Sequence, residues 1–307
     1  MKNKRLLGSI ILLLASIVWG FAFVAQSQAA EFIEPFTLNF LRCYVGAIFL
    51  IPIMIINRKA NKKTILETNN SDRKKLIISG VICGLFMFVA MNLQQFGISL
   101  YPSNAATSGR SGFITALYVV LVPLLGIFMK KKIGLKVLIS VTLAVTGLYL
   151  LCFFKGIDHI YLGDLIVLLS ALGFSFQIIC IDKFVNSIDS IKFSIIQFLV
   201  TGTLSMILML IFEDFNINNI LMVIGPILYL GVASTGIGYT FQIIGQKLSQ
   251  NPSIDSILMS FESVFAVIGG AIIMNEVLLV NEIIGCILMF IAIIISQIPN
   301  KKIKELP

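Results

Sequence analysis

Charge is scarce in this sequence. Of 307 residues only 12% are charged, 23 of them Lys or Arg and 15 Asp or Glu, against about 25% in soluble domains. Histidine is nearly absent. The lone His159 has no cluster of other ligands near it, so metal chemistry is excluded as an expectation and no cofactor is implied. The five cysteines, Cys43, Cys83, Cys152, Cys180 and Cys286, are odd in number and form no C-x-x-C pair. They read as small apolar fillers rather than as disulfides or metal ligands. No Walker A motif occurs, so the chain does not read as an ATP-driven machine. Nor is there a nucleophile–base pair or a pair of carboxylates within an apolar stretch, so the chain is not expected to be an enzyme.

What the chain has instead is apolar length. It is 58% hydrophobic, with a mean hydropathy of +0.99. Ten stretches are long enough to cross a hydrocarbon core, which takes about 20 residues of helix. They fall at about 6–25, 36–56, 76–100, 105–129, 133–154, 162–181, 191–212, 220–244, 254–274 and 277–298. The runs are too long and too uniform for the alternating segments of a transmembrane barrel. The expected fold is therefore an all-α membrane protein of ten transmembrane helices, its partners a lipid bilayer and a small-molecule substrate.

The net charge of +8 is a matter of topology rather than of nucleic-acid binding. With the N-terminus cytoplasmic, 20 of the 23 basic residues fall on cytoplasmic segments, Lys155 alone falls outside, and Arg42 and Arg110 lie within spans. This is the positive-inside pattern, and an even number of spans returns the C-terminus to the cytoplasm. Glu31, Glu34, Asp158, Glu213, Asp214, Glu276 and Glu282 fall on the external side. The first apolar run is longer than the 7–15 residues of a usual signal peptide core, so it reads as a retained helix.

The two halves echo one another. Trp19-Gly20-Phe21-Ala22-Phe23 returns 153 residues later as Leu172-Gly173-Phe174-Ser175-Phe176, and Gly126 with Lys132 matches Gly270 with Glu276. Each half holds five spans, and an odd number turns the second copy upside down. Inverted repeats with a binding site near the midplane are a transporter architecture. The expected division is a first five-helix repeat at 1–154, an external linker at 155–162 and a second repeat at 163–307. The longest loop, 57–75, reads as solvated and is given no chemistry.

At this point the sequence resembles a known family. Trp19-Gly20-Phe21-Ala22-Phe23-Val24-Ala25-Gln26, Arg42 after Phe36-Thr37-Leu38, the run from Ser111 to Leu125, that from Leu230 to Gln242, and Glu262-Ser263-Val264-Phe265-Ala266 followed by Gly269-Gly270 and Gly285 are similar, in order and spacing, to the ten-helix EamA family of the drug/metabolite transporter superfamily. The chain departs in having Ser263 where proline often follows the acidic residue, and Lys132 opposite Glu276. The resemblance implies a bacterial inner-membrane secondary carrier, often an exporter of metabolites or amino acids. A membrane-embedded receptor or enzyme without transport activity is the alternative reading.

Ionisable residues inside spans are the first functional candidates, since a charge at the bilayer centre costs about 2.5–3.5 kcal/mol on insertion scales. Three stand clearly inside: Arg42, Arg110 and Glu262. Helix rise places Arg42 and Arg110 about 8–10 Å from the external face and Glu262 close to the midplane. If the fourth and ninth spans pack together, Arg110 and Glu262 meet, either as a packing pair or as groups that handle substrate and proton. Arg42 has the plainer option of snorkelling. Asp164 lies near a mouth and Asp255 about one residue into the ninth span. Among uncharged residues Gln95, Gln242, Tyr118 and Tyr239 are expected to line a cavity, and Trp19 lies too deep for an interfacial belt. Cysteine tagging in the 57–75 loop and at the C-terminus is expected to label from the cytoplasm only, and tagging at Asp158 from outside only. Labelling of all three from one side would refute the ten-span topology.

Overall fold

Long apolar runs with few interior breakers become long helices, because a backbone in hydrocarbon satisfies its polar groups only within itself. The computed structural model describes residues 2–60, 70–102, 107–129, 134–152, 161–273 and 280–297. Among these residues every regular element is helical. The order is α1 (Lys2–Ala30), α2 (Pro35–Ala60), α3 (Asn70–Ser99), α4 (Thr107–Ala116), α5 (Tyr118–Phe128), α6 (Leu135–Cys152) and α7 (Leu162–Phe184). There follow α8 (Ser190–Phe212), α9 (Ile217–Met222), α10 (Ile224–Leu228), a π-helical segment (Tyr229–Tyr239), α11 (Thr240–Ser249), α12 (Pro252–Met259), α13 (Glu262–Ile273) and α14 (Val280–Gln297).

Eight of the resulting helical runs are long and apolar enough to cross a membrane, and the chain is a multi-pass membrane protein. The fifth and tenth expected spans coincide with α6 and α14, of 18 residues each. Their apolar cores are shorter, Leu135–Gly147 and Ile283–Ala292. These two helices lie against one another, with Gly147 beside the Gly285 carbonyl. The expected linker around 155–160 with His159, residues 61–69 of the expected 57–75 loop, Lys130, Lys131, Lys132, Glu276 and the tail beyond 297 lie outside the described residues, while 57–60 and 70–75 are helical and so shorten that loop.

The helix ends are built locally. Asp189 accepts from the backbone N–H of Ile191 (3.0 Å) and Lys192 (3.1 Å) to cap α8. Asn251 does the same for α12 through Ile254 N–H (3.3 Å), ahead of Pro252. α2 is capped from a distance: Glu213, just past α8, accepts from the N–H groups of Phe36 and Thr37, each at 2.7 Å. Call the end carrying Lys4, Arg5 and Lys247 the basic end, and the end carrying Glu34, Glu213 and Asp214 the acidic end.

The bundle is apolar outside and polar inside. Phe128, Leu210 and Ile272 are among many large side chains that face outward. Buried within are Gln26, Asn39, Arg42, Gln177, Gln197, Asp255 and Glu262. Without a hydrophobic drive between helices in lipid, small residues let backbones approach. A Cβ on Gly8 would lie 2.9 Å from the Gly245 carbonyl oxygen, and one on Gly20 would strike Phe265 Cβ and lie 2.7 Å from the Glu262 carbonyl oxygen. These contacts draw α1 tightly onto α11 and α13.

Cys83 on α3 and Cys180 on α7 are joined as a disulfide, with Cα atoms 6.0 Å apart. This corrects the expectation of apolar fillers for that pair. α3 and α7 pack along each other and bring together two cysteines 97 residues apart. Cys43 is free and buried, as a filler would be.

Two substitutions test this packing. Gly20→Val is expected to destabilise the protein by about 1–3 kcal/mol, since the added atoms meet backbone rather than a side chain that can swing away. Gly225→Ala, with nothing within 4 Å, is expected to be neutral. Thermal unfolding in detergent checks both, and equal midpoints for the two variants would contradict the packing described.

Candidate functional site

Two of the spanning runs are broken at mid-length. Between α4 and α5 the bonding tightens to i→i−3, with Leu117 N–H on the Ile114 carbonyl (3.2 Å) and Val120 N–H on that of Leu117 (2.9 Å). Between α12 and α13 the same happens, with Ser263 N–H on Ser260 (3.2 Å) and Val264 N–H on Phe261 (3.1 Å). The residue that follows each break is Tyr118 in one run and Glu262 in the other, the twelfth and eleventh of 22 residues. A third irregularity is the π-helical segment, which ends at Tyr239. π-helical turns are frequent at functional sites.

All three irregularities border one small cavity. α1 supplies Trp19, Phe23 and Gln26 to its wall, and α2 supplies Arg42. Tyr118 and Glu262 face one another there, yet Tyr118 Oη and Glu262 Oε1 are both buried without a hydrogen bond. Trp19 donates its indole N–H to the Ser234 carbonyl in the π-helical segment (3.1 Å), and its ring lies 5.0 Å from that of Tyr239. Gln242 donates to Gln177 Oε1 (3.1 Å) and keeps its own carbonyl oxygen without a partner.

Arg42 does not snorkel. It is 1% exposed, donates from Nη1 to Gln26 Oε1 (3.1 Å), and keeps Nε without a partner. The cavity thus holds a buried guanidinium on α2 and a buried carboxyl on α13, and neither has a counter-ion among the described residues. Leaving one charge of a buried pair alone is expensive, about 3–5 kcal/mol where measured.

Arg110 is elsewhere, which corrects its expected meeting with Glu262. It grips Asp164 at the start of α7 with both prongs, Nε to Oδ1 at 2.6 Å and Nη2 to Oδ2 at 2.5 Å. Tyr101 also donates to Asp164 Oδ1 (2.7 Å), the Tyr161 N–H to Oδ2 (2.9 Å), and the guanidinium lies 4.8 Å over the Tyr161 ring. α4 starts at the acidic end beside α7, so Arg110 meets the acid at that helix start before any group at midspan. Tyr101 lies beyond the end of α3. Burial and then its bond to Asp164 push its hydroxyl well above the ordinary range, which keeps it a donor.

Gln95 is also displaced from its expected place. It is buried, donating to the Gln26 carbonyl (3.3 Å), and its neighbour Gln94 reaches the cavity and Thr115 Oγ1 (3.0 Å). One residue is about 100° of helix rotation, enough to exchange which amide faces inward. The cavity therefore gathers Trp19, Arg42, Tyr118, Tyr239, Gln242 and Glu262 of the expected set and leaves out Arg110 and Gln95. Gln26 and Gln177 complete it. Their signal in the sequence was an amide deep in an apolar run.

Comparison with known proteins bears on these findings. The model of the EamA-like transporter family matches residues 6–153 and again 161–297. An uncharacterized transporter of Archaeoglobus fulgidus is 25% identical over 297 residues, covering 96% of this chain and 87% of that protein. The uncharacterized transporter YoaV of Bacillus subtilis is 25% identical over 283 residues, covering 89% and 91%. A protein solved by crystallography superposes with a TM-score of 0.71 at 16% identity, over 94% of this chain and 96% of that one. At that identity the likeness concerns fold alone.

Two stability measurements check the site. Tyr118→Phe removes a buried hydroxyl that has no partner, so it is expected to be neutral or slightly stabilising. Arg110→Met removes a bidentate, charge-assisted pair and is expected to cost about 1.5–3 kcal/mol. If the first destabilises as much as the second, the described hydrogen bonding is wrong.

Proposed function

The chain belongs to the EamA-like transporter family, and from that premise we propose that it is a secondary carrier, an exporter of small organic solutes working by alternating access. It acts in the bacterial cytoplasmic membrane with the basic end and both termini in the cytoplasm. Its ten spans form two inverted five-helix repeats, 1–154 and 163–307, joined by an external linker. The placement of basic residues along the sequence supports the orientation. The paired mid-length breaks at Leu117 and Phe261 support a site at the repeat interface, where discontinuous helices carry the ligand in such carriers.

One observation carries the substrate reading: Arg42 and Glu262 share a cavity, and neither has an ion-pair partner among the described residues. A guanidinium offers a planar fork to a carboxylate or other oxyanion. A buried carboxylate with an open acceptor takes either an ammonium group or a proton. A metabolite or amino acid bearing an acid and an amine satisfies both. Trp19, Tyr118 and Tyr239 supply apolar walls with polar edges, and Gln242 orients the cargo. When the cargo leaves, Glu262 takes a proton in its place, which couples efflux to the return of a proton.

The experiment is transport in reconstituted vesicles, with a metabolite and amino-acid panel, with and without a pH gradient. Glu262→Gln is expected to lose pH-driven transport and keep cargo exchange, while Arg42→Met is expected to lose both. Unchanged pH dependence in Glu262→Gln makes Glu262 structural and ends the coupling scheme.

A further inference from the structure

Asp255 has no role in the cavity, yet it is as deeply buried as any residue there. It is 0% exposed, and the Ser249 hydroxyl and the Asn251 backbone approach its carboxyl without either reaching good hydrogen-bond geometry. The usual task of an acid in the first turn of a helix is already done, because Asn251 caps α12. No group of three or more His, Cys, Asp or Glu side chains able to hold a metal occurs among the described residues. A proton is the remaining neutraliser.

The surroundings give that proton somewhere to come from and somewhere to go. Ser249 of α11 lies beside Asp255 and Asp182 of α7 is near enough for its charge to be felt there, and Asp182 is partly exposed at the basic end. Of the other charged groups described on elements packed against α12, Lys183 of α7 is exposed and Asp164 at the far end of that helix is held by Arg110. Lys247 of α11 donates to the Ile188 carbonyl (2.8 Å), Lys4 and Arg5 of α1 are exposed, and Lys136 stands partly exposed at the start of α6. In the other direction Glu262 lies seven residues on, just past the break after α12, about 10 Å along a helical run. Beside this line runs a polar stripe on α11, with Gln242, Gln246 and Ser249 spaced i, i+4, i+7. Gln242 borders the cavity and Ser249 faces Asp255. The carbonyl oxygens of Gln242 and Gln246 are buried without partners, each amide nitrogen being already bonded, to Gln177 and to the Ile178 carbonyl.

We propose that Asp255 is a proton-carrying carboxyl that connects the basic end of the bundle, through Asp182, to Glu262 in the cavity. Each step breaks one carboxylic O–H bond and forms another on a carboxylate oxygen, with water on the free amide oxygens bridging the distance, and no electrons change hands. This assignment rests on the reading of Glu262 as the coupling group, and it names the route by which that group exchanges with one side of the membrane.

The test needs no cargo. Dicyclohexylcarbodiimide, an apolar reagent that modifies protonated carboxyls in membranes, is applied to the full chain in sealed vesicles of each orientation, and adducts are mapped by mass spectrometry. With pH changed on one side only, adducts on both Asp255 and Glu262 are expected to follow the pH at the basic end. In Asp255→Asn the response of Glu262 to that side is expected to be lost. Absence of any Asp255 adduct at every pH, an Asp255 adduct that follows the acidic end, or a Glu262 response that persists in Asp255→Asn overturns the assignment. The wild-type measurement stands even if the variant fails to fold. A failure here leaves the transport test of Glu262→Gln untouched, so the two readings fall separately.

Discussion

Everything in this molecule depends on the intolerance of hydrocarbon for an unsatisfied backbone group. That constraint turns the apolar runs into helices and forbids irregular backbone wherever lipid would touch it. Irregular backbone survives only where protein or a polar cavity surrounds it. The breaks at Leu117 and Phe261 and the π-helical segment Tyr229–Tyr239 all satisfy this rule, since they meet at the same cavity. The irregularities and the cavity are two aspects of one arrangement: the chain departs from the α-helix where polar side chains gather inside the bundle.

Polar groups inside the bundle divide into those that are finished and those that are not. Arg110, Asp164, Tyr101 and Tyr161 form a closed set at the acidic end, in which each Asp164 oxygen accepts more than one hydrogen bond. Asn39, Asn92 and Ser205 link α2, α3 and α8, though Asn39 Oδ1 is left over. Arg42, Tyr118, Gln242, Gln246, Asp255 and Glu262 each keep a buried polar atom without a partner. Most buried polar atoms in proteins are satisfied, so each exception asks for an explanation. Among the described residues such atoms occur in the cavity and on α11 and α12 towards the basic end, and also elsewhere, on Asn39, Gln95, Ser111, Ser140, Gln197 and Thr235.

The helical class and the position of most spans were legible because a run of about 20 apolar residues admits few alternatives. Glu262, Arg42 and Trp19 were legible as candidates because polar or bulky residues in such runs are rare. The helix breaks were not. Ala116-Leu117-Tyr118 and Ser260-Phe261 contain neither glycine nor proline, and nothing in their composition distinguishes them from the helix on either side. The partner of Arg110 was hidden for a different reason. It stands 54 residues away on α7, and which helix faces which is settled by packing rather than by local pattern. The same holds for Cys83 and Cys180, and for the exchange of Gln95 for Gln94, where helix rotation decides.

Where glycine brings α1 within touching distance of α11 and α13, and Trp19 presses on Gly238 of the π-helical segment, there is little slack for one helix to slide past another. α1 comes early in the sequence and the helices it touches come late. The seam therefore welds pieces of both halves into a single stiff block. If the protein rocks, the line along which it flexes does not follow the line along which the sequence repeats. Any moving part is to be sought away from that block, and the boundary between the two stretches the family model matches is no guide to it.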